Sequence, residues 1–167
     1  MDIKGKKIYF LGDSITEGVG TTGQDKCFHQ LIKKKHGLSE ARNYGVGGSR
    51  LAKQITPSEN PRHDLDFPMR AAEMDKDADA VVVFGGTNDF GHGDAPIGEM
   101  SDRTPDTFYG ALHYLFTYLM TEYPDANIFI CTRLLSQRNT PANPSPNGTT
   151  ALLNTLLDVG IASLGII

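Results

Sequence analysis

Three short apolar runs in this chain each end in a segment rich in glycine and polar residues. The run from Ile8 to Leu11 leads into Gly-Asp-Ser-Ile-Thr-Glu-Gly, and the run from Ala41 to Tyr44 leads into Gly-Val-Gly-Gly. The run from Ala80 to Phe84 is apolar without alternation and leads into Gly-Gly-Thr-Asn-Asp. Such unbroken runs are typical of strands that are covered on both faces of a parallel sheet.

Helical segments lie between these runs. Residues 25–36 have one apolar face, with Asp25 as the expected cap and Gly37 as the expected end. A second helix is predicted from Thr104-Pro105 to Pro124, followed by a strand over 127–131, whereas 53–68 and 90–102 are polar and predicted as loops. This order predicts an α/β fold with three α/β/α layers around a mostly parallel sheet.

The three glycine-rich segments are expected to meet at one edge, because ligands bind at the carboxyl ends of parallel strands. Ser14 would supply a nucleophilic hydroxyl there, and its own N–H, a glycine N–H and the Asn88 amide could stabilise an oxyanion. The other interpretation of Gly-Asp-Ser is an ordinary turn, since Asp and Ser bond their own backbone.

The segments FLGDSITEG, NYGVGGSR and VVVFGGTNDF resemble, in order and spacing, the first three motif blocks of the SGNH (GDSL) hydrolase family of esterases and lipases. The resemblance covers roughly residues 7–131 and implies the flavodoxin-like SGNH hydrolase fold. It also implies hydrolysis of small acyl or acetyl esters, with acetylated carbohydrate among the candidate substrates. No metal or organic cofactor is implied.

The resemblance assigns roles to four residues of this sequence. Ser14 would be the nucleophile, and Asp13 the acid that shapes its turn. Gly48, five residues after Asn43, would be the oxyanion glycine, and Asn88 would give the side-chain oxyanion donor.

The catalytic base of that family is not found. It is a His in an Asp-x-x-His motif near the C-terminus, whereas the five histidines here are His29, His36, His63, His92 and His113. A literal match, Asp89-Phe90-Gly91-His92, lies in the third motif, where it would form only a local turn. His63, beside Asp64, is the other weak candidate. Ester hydrolysis by this chain is therefore expected to be weak or absent unless another chain supplies a His.

Residues 1–167 are predicted to form one domain, truncated or divergent from about residue 147, which leaves the fold incomplete at its C-terminal end. An exposed apolar edge there would favour a homo-oligomer. Two other functions stay open: a catalytically degenerate ligand-binding module of the same fold, and a phosphate- or nucleotide-binding α/β domain. A P-loop is excluded by spacing, since five residues separate Gly12 from Gly18 and Val19 follows.

Composition excludes several classes of partner. The net charge is −4, and nothing in the sequence indicates the basic face that nucleic-acid binding requires, so nucleic acid is not expected. The longest N-terminal apolar run is too short for a signal or a membrane span, so a cytoplasmic protein without membrane contact is expected. Cys27 and Cys131 have no metal-binding spacing and are predicted to be core thiols. The expected partner is a small-molecule ester.

Overall fold

The computed structural model describes residues 2–131, in which helices and strands alternate. The strands are β1 (Lys7–Gly12), β2 (Glu40–Gly45), β3 (Ala80–Phe84) and β4 (Asn127–Cys131). The α-helices are α1 (Ser14–Glu17), α2 (Phe28–His36), α3 (Phe67–Glu73), α4 (Thr87–His92) and α5 (Phe108–Glu122), and two 3-10 turns span Gln24–Lys26 and Pro61–Asp64.

The four described strands form one parallel sheet in the order β2-β1-β3-β4. The predicted bounds of β3 and β4 are confirmed, and β1 and β2 extend one residue further at each end than predicted. After β2 the chain crosses back over β1, so that β3 pairs with the other side of β1 and β4 continues in that direction. This topology confirms the predicted α/β class.

Helices cover both faces of the sheet. On one face, α3 and α5 pack on β1 and β3 through a core that includes Phe67, Leu115 and Phe116. On the other face, Phe10 and Ala41 pack with residues of α2 and the turn after it. The described chain therefore has the three α/β/α layers that the sequence predicts.

Two helices begin later than predicted. The segment from Asp25 to His36 is interrupted at Cys27, whose extended backbone (φ −65°, ψ 142°) separates a 3-10 turn from α2. Asp25 therefore lies in the first turn of the 3-10 segment and does not cap α2. Helix α5 is capped by Thr107, whose hydroxyl accepts the Gly110 N–H at 3.1 Å, and not by Thr104.

The predicted loops at 53–68 and 90–102 are partly helical. Helix α3 begins at Phe67, because the Asp66 carboxylate accepts the Met69 N–H at 2.8 Å and Pro68 occupies the first turn. Helix α4 continues to His92, so the third motif is the start of a helix. The predicted departure from the family after residue 147, with its helix and last strand, lies outside the described residues. No helix within residues 2–131 is long and apolar enough to cross a membrane.

Candidate active site

The three motifs begin at the same level of the sheet. Gly12, the last residue of β1, is in register with Gly45 of β2 and with Phe84 of β3. Ser14 follows two residues after Gly12, Gly48 three residues after Gly45, and Asn88 four residues after Phe84. The parallel sheet therefore brings the three predicted site residues to one edge.

Ser14 is the first residue of a one-turn helix directly after β1. Asp13 caps this helix, with its carboxylate accepting the Ile15 N–H at 2.9 Å, and Gly18 ends it in the left-handed region (φ 97°). Burial raises the pKa of Asp13, which the Ile15 N–H and the charge of Arg70 oppose. Within residues 2–131, the Ser14 hydroxyl and N–H have no hydrogen-bond partner.

The segment Val46–Ser49, here called the glycine turn, is fixed at both ends. Val46 N–H donates to the Gly12 carbonyl at 3.0 Å, and the Ser49 N–H and hydroxyl donate to the Val46 carbonyl at 3.2 and 2.6 Å. Between these bonds Gly47 N–H donates to the Glu17 carboxylate, while Gly48 N–H has no partner in the described part of the chain.

Asn88 is joined to the glycine turn. Its Nδ2 donates one hydrogen bond to the Ser49 carbonyl at 2.8 Å. A side-chain amide carries two N–H groups, so this bond leaves a second donor beside the turn. The Ser49 hydroxyl accepts a further bond from Arg70 at 2.9 Å. Burial lowers the pKa of Arg70 to about 10, which leaves its guanidinium charged at neutral pH.

Gly48 occupies a position that only glycine fits well. Its φ is 75°, and a Cβ built there would lie 2.6 Å from both Cγ and Nε2 of His63. A left-handed backbone costs an L-residue about 1–2 kcal/mol. We therefore expect Gly48→Ala to lower the free energy of unfolding by about 1–3 kcal/mol, measured by urea denaturation. The additional substitution His63→Ala should recover only the steric part; full recovery would contradict the backbone strain.

The histidines occupy different environments. His29 of α2 is fully buried against Phe10 and Phe28, as expected for a packing residue, and His36 is exposed at the end of α2. His113 lies on α5. His63 packs against Gly48 of the glycine turn, and Asn60 Nδ2 lies 3.4 Å from its Nε2.

The literal Asp-x-x-His match does not form a pair. Arg50 donates to His92 Nδ1 at 2.8 Å, so the neutral ring carries its proton on Nε2. Burial lowers the pKa of His92, and the charge of Arg50 adds to this effect. The carboxylate of Asp89 instead accepts the N–H groups of Leu51 and Ala52, each at 3.0 Å. Asp89 thus fixes the chain after the glycine turn.

The burial of Asp89 predicts an unusual pH dependence of stability. Burial raises the pKa of Asp89 to about 6, above the value of 3.8 for a free Asp side chain. Because the folded state holds this proton more tightly, the free energy of unfolding should fall by about 1–3 kcal/mol as pH rises from 4 to 7. Asp89→Asn should remove this part of the slope in urea denaturation, whereas Asp125→Asn, at an exposed position, should retain it. Equal slopes for Asp89→Asn and wild type would contradict the assignment.

Three residues that hold the site were missed by sequence reasoning. Glu17 bonds the glycine turn at Gly47, Arg70 bonds it at Ser49, and Arg62 bonds Glu17. Glu17 had a local signal, since it lies three residues after Ser14 in a helical turn. Arg62 and Arg70 had none, because their positions depend on how the chain between β2 and α3 folds back over the turn.

Comparisons with known proteins identify the family and the fold. The model of the GDSL-like lipase/acylhydrolase family matches residues 10–160. The fold is similar to that of a Lactobacillus plantarum protein, with 27% identity and a TM-score of 0.75 over 98% of this chain and 76% of that one. It is also similar to a candidate GDSL-like lipase of Bacteroides uniformis, with 23% identity and a TM-score of 0.73 over 96% of this chain and 80% of that one.

A carbohydrate-bound structure has the same fold. The family two carbohydrate esterase of Clostridium thermocellum, solved with cellohexaose, is 20% identical with a TM-score of 0.63, over 96% of this chain and 50% of that one. A comparison with curated proteins gives no match. The family model covers most of the sequence, including all three motifs. The chain belongs to the GDSL-like lipase/acylhydrolase family.

Proposed function

We propose that this chain is a serine ester hydrolase that acts on small acyl or acetyl esters, acetylated carbohydrates among them. Ser14 is the nucleophile, and the N–H groups of Ser14 and Gly48 together with the Asn88 amide bind the oxyanion. Residues 1–167 form a single catalytic domain in this proposal. No metal or organic cofactor takes part.

The observation that carries the proposal is the alignment of three strand ends that each bring an N–H donor to the same edge. Among residues 2–131 the N–H groups of Ser14 and Gly48 have no partner, and the Asn88 amide has one N–H beyond its bond to Ser49. Gly12, Gly45 and Phe84 are in register, and the Asn88 amide bonds the residue after Gly48. A glycine turn whose flanking groups are already hydrogen-bonded can hold the Gly48 N–H in place without reorganisation. Such prearranged donors stabilise charge that develops on a carbonyl oxygen.

Without a base both chemical steps are slow, but an activated ester makes the first step faster than the second. Ser14 Oγ forms a bond to the acyl carbon, the ester C–O bond breaks, and the alkoxide or phenoxide leaves while the hydroxyl proton passes to solvent. A nitrophenolate leaves without being protonated, so this step does not need a general acid. Hydrolysis of the acyl-serine needs a base to activate water, and the sequence has no His after His113. Acylated Ser14 should therefore accumulate.

The test is the reaction of the purified chain with p-nitrophenyl acetate. We expect a burst of nitrophenolate that approaches one equivalent, followed by slow turnover, and an acetyl group on the peptide that contains Ser14 by mass spectrometry. Fast turnover without accumulation would contradict the slow second step. An acetyl group found only on other residues would contradict Ser14 as the nucleophile.

The carbohydrate part of the proposal has a separate test. The structural similarity to the Clostridium thermocellum carbohydrate esterase supports glycan esters as one substrate class. An acetylated cello-oligosaccharide should acetylate Ser14 faster than an acetate ester of a simple alcohol of the same leaving ability. Equal acetylation rates would contradict a preference for carbohydrate esters and leave small acetyl esters as the proposed substrate class.

A ligand-binding module that has lost catalysis is the second candidate. The histidines favour this candidate, because none of the histidines in residues 2–131 forms a hydrogen bond with Ser14 and could act as its base. This candidate predicts thermal stabilisation by the oligosaccharide product with no acetyl group on Ser14. Stabilisation by inorganic phosphate or a nucleotide alone would instead favour the phosphate-binding alternative.

A further inference from the structure

Glu17 connects the nucleophile helix to the glycine turn and to the chain that crosses above it. Its Oε2 accepts the Gly47 N–H at 2.6 Å, and its Oε1 accepts a bond from Arg62 Nη2 at 2.5 Å. The side chain is 24% exposed. The hydrogen bond from Arg62 lowers the pKa of Glu17, against a smaller opposing effect of burial, and the Gly47 N–H lowers it further. The carboxylate is therefore ionised at neutral pH.

The Glu17 carboxylate lies close to Ser14 and to the peptide that precedes the Gly48 N–H. A Cβ built on Gly47 would lie 2.7 Å from Glu17 Oε2 and 3.7 Å from Ser14 Cβ, so the carboxylate and Ser14 lie on the same side of Gly47. The Gly48 N–H belongs to the next peptide along the chain. Glu17 thus fixes the peptide before that N–H, while Arg70 and Asn88 fix Ser49 after it.

We propose that Glu17 is a positioning residue for the oxyanion site. Its carboxylate holds the Gly47 peptide in the orientation that directs the Gly48 N–H towards the acyl oxygen on Ser14. The inference rests on the proposed function, because it assigns Glu17 a part in the same acyl transfer. A displaced donor costs less than a deleted one, and misplacement by about 1 Å can cost up to about 100-fold in rate.

Arg62 has a distinct part in the same arrangement. An unpaired carboxylate beside the site would repel the negative charge that develops on the acyl oxygen. The bond from Arg62 compensates this charge, and it also ties the 3-10 turn Pro61–Asp64, with His63, over Gly48. Removing Arg62 therefore leaves the hydrogen bond to Gly47 but exposes the oxyanion to an uncompensated charge.

The test separates binding from acylation in the burst reaction with p-nitrophenyl acetate. We expect Glu17→Ala to lower the acylation rate constant by about 10- to 100-fold with the substrate dissociation constant within about threefold of wild type. Glu17→Gln retains an acceptor for the Gly47 N–H and should recover most of this loss. Arg62→Ala should lose about 3- to 10-fold, and Glu73→Ala, an exposed acidic residue of α3, should match wild type.

Several results would overturn the inference. Acylation by Glu17→Ala at the wild-type rate, with the active fraction counted by burst amplitude, would do so, even if its melting temperature falls. Failure of Glu17→Gln to recover the rate would do so as well, since positioning by a hydrogen bond requires only the acceptor.

A readout without turnover distinguishes this inference from the proposed function. If wild type gives no acetyl-Ser14, the proposed function is wrong, but the Gly47 and Gly48 amides still report the positioning. Glu17→Ala should speed hydrogen exchange of the Gly47 N–H and shift the Gly48 amide resonance, and Glu17→Gln should do so less. Unchanged exchange and resonance in Glu17→Ala would overturn the role of Glu17 independently of activity.

Discussion

We expect the Ser14→Ala protein to form no acetyl-enzyme with p-nitrophenyl acetate and to lose the nitrophenolate burst completely. The covalent step needs the Oγ atom of Ser14, which begins the one-turn helix after β1 that Asp13 caps. The measurement is stopped-flow absorbance for the burst and mass spectrometry of the intact chain for the acetyl group.

Ser14→Ala should reduce the slow turnover after the burst much less than it reduces the burst itself. When one member of a nucleophile–base unit is absent, removing the other costs little more, because the members act together. Since the sequence lacks the family's C-terminal His, Ser14→Ala should lower the steady-state rate by less than about tenfold. A loss of several orders of magnitude would mean that a base activates Ser14 and would contradict the proposed slow second step.

The matched control is Ser39→Ala. Ser39 is an exposed serine before β2, at the opposite end of the sheet from the three motifs. Its substitution should leave both the burst amplitude and its rate at the wild-type values. A burst that survives in Ser14→Ala would show that another nucleophile of the chain carries the acetyl group.

The sheet could be predicted from the sequence because its strands carry their own signal. The run Ala80–Phe84 is apolar at every position, and the structure gives β3 those same bounds. Val81 and Val83 are buried on one face of this strand, and Val82 and Phe84 are half-buried on the other, so local composition and tertiary environment agree. The bounds of β4 were predicted equally well, although Phe129 is 46% exposed in the described part of the chain.

Helix starts were predicted less well, because two local signals competed. Thr104-Pro105 has the composition of a helix start, but the hydroxyl that accepts the Gly110 N–H in the first turn of α5 belongs to Thr107. The opposite error occurred at α3, where Asp66 and Pro68 are a cap and first-turn pair within a segment predicted as a loop. The polar composition of residues 53–68 predicted a loop, although Asp66 and Pro68 alone determine that a helix begins there.

The site was predictable as far as the sheet determines it. Ser14, Gly48 and Asn88 each follow a strand end, and the register of three parallel strands brings them together. The contacts of Glu17 with Arg62, and of Gly48 with His63, depend on the long connection between β2 and α3, in which Arg62 and His63 lie. No local pattern encodes how such a connection folds back, so these contacts required the structure.

We expect Asn88→Ala to slow acylation of Ser14 by about 100- to 1000-fold, the cost of removing one oxyanion donor. The Asn88 amide gives one N–H to the Ser49 carbonyl, and the proposed role assigns its second N–H to the acyl oxygen. The effect should fall on the acylation rate constant, because the ground-state carbonyl carries less charge than the oxyanion. Burst kinetics over a range of p-nitrophenyl acetate concentrations measure this constant and the dissociation constant separately.

Two further variants separate oxyanion donation from support of the glycine turn. Asn88→Asp has nearly the same shape but no N–H and a negative charge, so it should lose at least as much rate as Asn88→Ala. Asn127→Ala, at the start of β4 on the opposite edge, should match wild type. If Asn88→Ala only loosened the turn, its loss would resemble that of Glu17→Ala and Asn88→Asp would be no slower. Acylation of Asn88→Ala within about threefold of wild type would exclude Asn88 as a donor and leave the backbone N–H groups of Ser14 and Gly48 to bind the oxyanion.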